Sequence, residues 1–122
     1  MLLDDSTTIK AALATMNPIA RDATQLLARE IIDNPTLLNE NNALARTAMI
    51  ACASAFARAG YDLSAHEERF ERFIENHATN VMDLAVSVVL CAAKDAKRRQ
   101  MWGSFGKVAA LVGAAALGAF FG

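Results

Sequence analysis

The run "LAVSVVLCAA", Leu84 to Ala93, decides the fold class. It has ten residues, no charge and one hydroxyl, Ser87. A surface helix carries an apolar stripe on one side, whereas a helix apolar all round belongs in the middle of a protein. The run therefore predicts a buried central helix, with Asn80 as its cap and Val81 to about Ala93 as its body. Its end turns basic at Lys94, Lys97, Arg98 and Arg99.

Working backward, Ser64 predicts the start of a preceding helix. "SAHE" fits a capping box, with Glu67 three residues after Ser64. Phe70, Phe73 and Ile74 then share its inner face, and Glu68 and Arg72 pair on the outer one. Gly60 suits the position just past a third helix, Ala43 to Ala59. "TLLNENN" before it reads as a polar connection. Asn34-Pro35 closes a second helix that opens at Pro18, with Ile19, Ala23, Leu26, Leu27 and Ile31 on one face. Asn17-Pro18 in turn ends a first helix from Ser6 or Thr7 to Met16, because the residue before proline is pushed out of helical geometry. The expectation is all-α: a compact bundle around one hydrophobic helix, with residues 1–100 as the bundle and 101–122 as a hydrophobic tail.

The chain's 122 residues are 54% hydrophobic, which fits one domain with a substantial core. A net charge of -1 gives no support to nucleic-acid binding. Cys52 and Cys91 lie in apolar helical stretches and read as buried free thiols of a reducing compartment. The start, "MLLDDSTTIK", has two acids where a signal peptide carries positive charge. His66 and His77 are eleven residues apart with no ligand partners at metal spacing, so no metal or other cofactor is expected. Ser54 and Ser87 have no nearby base, and no strand leads into a Gly-rich phosphate loop. These absences point away from an enzyme and toward an interaction protein.

The tail admits two readings. Val108 to Gly122 is uncharged over about 22 Å of helix, short of a bilayer core of about 30 Å. Starting at Met101 gives enough length, with Trp102 suited to the interface and the basic cluster to the cytoplasmic leaflet. Gly106, Ala110, Ala114, Gly118 and Gly122 recur every fourth place, a ridge of small residues that lets another helix approach closely in a membrane or in a packed core. The ridge and the apolar content predict at least a homodimer.

The buried helix, the basic stretch, Trp-Gly and the hydrophobic tail together resemble the Bcl-2 family of apoptosis regulators, in the form of a short viral member. Two alignments express the resemblance. In one, "AFARAGYDL", Ala55 to Leu63, is similar to the third homology motif, with Phe56, Gly60 and Asp62 in its key places and Tyr61 intruding. "MWG" then takes the first motif, though Ser104 stands where its Arg belongs. In the other, "ARTAMIACASAF", Ala45 to Phe56, is similar to the first motif with Arg46 as its Arg. "QMWGSF", Gln100 to Phe105, then resembles the second motif. The Asn-Trp before Gly-Arg is missing there, but the motif order holds, and this alignment is preferred.

The resemblance implies an inhibitor of apoptosis that binds the amphipathic death-ligand helix of pro-apoptotic proteins in a surface groove. Leu44, Met49, Phe56, Phe70 and Phe73 would line the groove, and Arg46 would meet the ligand's acid. It also implies a cytoplasmic protein anchored through its tail to a host mitochondrial or other intracellular membrane. The alternative is a small tail-anchored helical membrane protein that oligomerises through its Gly/Ala-rich tail. Plain core packing is the competing explanation for the aromatics, and an ordinary exposed position the competing one for Arg46.

Overall fold

The computed structural model describes residues 2–99 and 117–121, and the side chains of 2–94 and 117–121. Among the described residues every regular element is helical: α1 (Ser6–Thr15), α2 (Pro18–Asp33), a 3-10 turn (Pro35–Asn39), α3 (Asn41–Arg58) and α4 (Glu67–Arg99). Residues 117–121 are helical as well.

Local chemistry sets the boundaries. The Asp5 carboxylate accepts from the Thr7 N–H at 3.1 Å and starts α1. Asn17 does the same for α2, accepting from Ile19 and Ala20 at 2.9 and 3.3 Å, with Pro18 in the first turn. α3 ends in a Schellman motif: the Tyr61 N–H reaches the Phe56 carbonyl, the Gly60 N–H reaches Ala57, and Gly60 takes a φ of +97°. "TLLNENN" is more structured than its polarity suggests, since the 3-10 turn buries Leu37.

Two expected features differ. The Ser64 capping box does not form. Asp62 accepts both the N–H and the O–H of Ser64, at 3.0 and 2.7 Å, so that hydroxyl is spent in a turn and the helix begins at Glu67. Nor does Asn80 separate two helices. With neither Pro nor Gly between residues 67 and 99, α4 continues for 33 residues, about 50 Å, and Asn80 is an exposed mid-helix residue.

α4 packs against all three other helices, and α2 packs against α3, α4 and the 3-10 turn. α2 contributes Ala20, Ala23, Leu27, Ala28 and Ile31, all fully buried. Its buried Thr24 hydroxyl donates to the Ala20 carbonyl at 2.7 Å, so it enters the core satisfied. Along α4, Val81, Ala85 and Val88 are fully buried, yet Leu90 is 45% exposed and Ala93 is exposed. The charge-free run is therefore central on one side and open on the other, rather than enclosed all round. Ser87 clips the N-terminal residues to it, accepting from the Leu3 N–H at 3.0 Å and donating to the Asp83 carbonyl at 2.7 Å.

Of the tail, Trp102, Gly106, Ala110, Ala114 and Gly122 lie outside the described residues. Residues 117–121 pack on the bundle: Leu117 and Phe120 are buried, Arg21 Nη2 donates to the Phe121 carbonyl at 3.2 Å, and Lys10 Nζ stands 5.9 Å from the Phe120 ring. Gly118 is exposed, and a Cβ placed there would meet nothing within 4 Å. Among the described residues no helix is long and apolar enough to cross a membrane.

Candidate functional site

The six side chains expected to bind a partner helix divide into an interior set and a surface pair. Phe56 closes the inner face of α3 at 2% exposure, and three rings surround it. Tyr61 lies 4.8 Å away, Phe70 5.5 Å and Phe73 5.7 Å, between centroids. The Schellman turn at Gly60 brings Tyr61 back over Phe56, and the first turns of α4 supply Phe70 and Phe73. His66 sits edge-on to Tyr61 and His77 leans on Phe73. Such tilted and edge-to-face pairs stabilise beyond area burial, by about 0.5–1.5 kcal/mol each. Phe56 and Phe73 are buried, Phe70 is half-buried, and Leu44 is buried at the other end of α3. Leu44, Phe56 and Phe73 are core contacts as they stand, and half-buried Phe70 packs against that core.

Arg46 and Met49 are exposed. Both project from the side of α3 opposite Leu44, Ala48, Ala51, Cys52 and Ala55. Ile50, which the residue pattern alone does not single out, follows Met49 one turn on from Arg46 and is 66% exposed, against 44% for Met49. Half-buried Ala53 and exposed Asn42 and Ala57 extend the same stripe. The missed signal is that apolar residues of α3 recur on both sides of the helix, more than one inward face requires.

Arg46 also borders a shallow cleft of about 360 Å³, shared with Glu40, Asn41, Asn42 and Ala43 at the start of α3. No side chain caps that helix start. Among the described residues Arg46 has neither an ion pair nor a hydrogen bond. Arg58, the other cation of α3, is engaged with Asp22 at 3.3 Å. No acid lies within α3.

Elsewhere the chemistry is structural. Burial pushes the Cys52 thiol up to about 11, which keeps it protonated and unreactive near neutral pH. The Ser64 hydrogen bonds hold the exposed Asp62 carboxyl below its usual range. No cluster of His, Cys, Asp or Glu with metal-binding geometry occurs among the described residues. No protein-family model, curated protein or solved structure matches the chain.

Proposed function

We propose that the protein is a non-enzymatic interaction module that binds an amphipathic helix, and that it acts as the Bcl-2 resemblance implies, as an inhibitor of apoptosis holding the death-ligand helix of a pro-apoptotic partner. The observation that carries this reading is the joint exposure of Arg46 and Met49 on one face of α3, with the arginine unpaired. A helix ligand anchors through residues at helical spacing. An unpaired cation beside those anchors selects an acid on the ligand, and such a pair gains strength when the complex excludes water. The packing of Leu117 and Phe120 supports a last helix within the fold over a lipid-embedded tail. A homodimer belongs to the same proposal.

The test is a binding titration of the purified full chain against a set of death-ligand peptides. Binding of at least one is expected, weakened by Arg46→Ala with helicity and melting unchanged. If none binds, the apoptotic reading is lost.

A further inference from the structure

We infer that the docking surface is the convex outer face of α3, centred on Ile50, and that it takes a single acidic amphipathic helix rather than a second copy of this chain. The inference rests on the helix-binding reading above but moves its site. The aromatic residues proposed as groove lining are already packed against one another. Along the outer stripe, Asn42, Arg46, Met49, Ile50 and Ala57 are exposed and Ala53 is half-buried, and among the described residues Arg46 has no ion pair.

Three observations select the occupant. Ile50 at 66% and Met49 at 44% are adjacent large apolar side chains left in water on one helix. Past them, toward the C-terminal end of α3, the stripe narrows to Ala53 and Ala57, which leaves room for a second helix to lie close there. Size then decides between a helix and a subunit. α3 is about 27 Å long, and a strip one helix wide offers about 300 Å² per side. A stable subunit interface needs about 800 Å² per partner. The strip matches one ligand helix and falls well short of a dimer contact.

Charge completes the selection. The stripe carries one cation, Arg46, without an ion pair among the described residues, and α3 itself contributes no acid; Glu40, just before the helix, lines the cleft that Arg46 borders. The uncapped amides at the start of α3 add positive potential at the same end. Two copies meeting face to face would bring no acid from either α3 to the other's Arg46. A helix with an acid about one turn from its apolar anchors would satisfy it, and one with a lysine there would be repelled.

The experiment uses the full chain and two synthetic amphipathic helical peptides. They share their leucine anchors and differ only in carrying glutamate or lysine one turn away. Death-ligand peptides are run alongside. Tenfold or greater preference for the glutamate peptide is expected, together with tenfold or greater weakening by Ile50→Asp. Arg46→Glu should reverse the preference. Ile50→Ala, with melting and helicity recorded, guards against a folding defect in the aspartate variant and should weaken binding in the same direction. Equal binding of the two peptides, binding by neither, or a dimer that Ile50→Asp dissociates would each overturn the inference. The two proposals separate cleanly. Death-ligand binding indifferent to Ile50→Asp removes the site and leaves the apoptotic reading. Glutamate-peptide binding without any death-ligand binding does the reverse.

Discussion

Both faces of α3 carry apolar residues, and the two sets have opposite fates. The inner face gives Leu44, Ala48, Ala51, Cys52, Ala55 and Phe56 to the core. The outer face holds Met49 and Ile50 in water, with Ala53 and Ala57 alongside. Folding accounts for the first set, because each buried CH₂ contributes about 0.8 kcal/mol. It does not account for the second, since a lysine or glutamate at Ile50 would serve the fold equally well. An apolar residue that folding does not use is where to look for a partner. Scattered exposed hydrophobics are ordinary, but an adjacent pair flanked by alanines and one unpaired arginine is a patch.

That contrast is broken or sharpened by substitution. The largest effect is expected at Val88, fully buried on α4. Val88→Asp would put an unpaired charge into the core and should abolish the cooperative thermal transition seen by circular dichroism. A normal melt would show that this stretch of α4 does not hold the bundle together.

Phe56→Ala comes next. It removes the ring against which Tyr61, Phe70 and Phe73 pack, and should cost about 3–5 kcal/mol in urea unfolding. A loss under about 1 kcal/mol would mean that the aromatic cluster is surface dressing and the inner face ends before it.

A smaller effect appears at alkaline pH. The Cys52 thiol titrates at about 11 in the folded chain, against 9.0 for the free group. Its folded pKa is raised, so the stability it contributes is complete below pH 9 and disappears as pH climbs toward 11. Cys52→Ala should flatten that part of the pH–stability curve, and an unchanged curve would place the thiol in contact with water.

Much of the helix layout was legible in the sequence, because Pro18, Pro35, Asn17 and Gly60 act locally: each fixes a dihedral or caps an end without help from the rest of the chain. The unbroken α4 was harder to read. Ser64 has the right spacing for a cap, but the Asp62 carboxylate two residues earlier competes for its hydroxyl and wins. The site was legible only in part. Arg46 and Met49 emerge as surface residues, whereas Phe56, Phe70 and Phe73 turn inward, since an aromatic at helical spacing looks the same in sequence whether it lines a groove or fills a core. Ile50 went unnoticed because its exposure depends on how α2 and α4 pack against the opposite side of α3.

The smallest predicted effect tests the central claim most directly. That claim is that the outer face of α3 is not needed for folding. The unfolding free energy of Ile50→Asp in urea should therefore lie within about 0.5 kcal/mol of the parent, as for surface substitutions generally. A loss above about 2 kcal/mol would show that Ile50 packs within the protein itself, and that α3 has no free face for a partner to occupy.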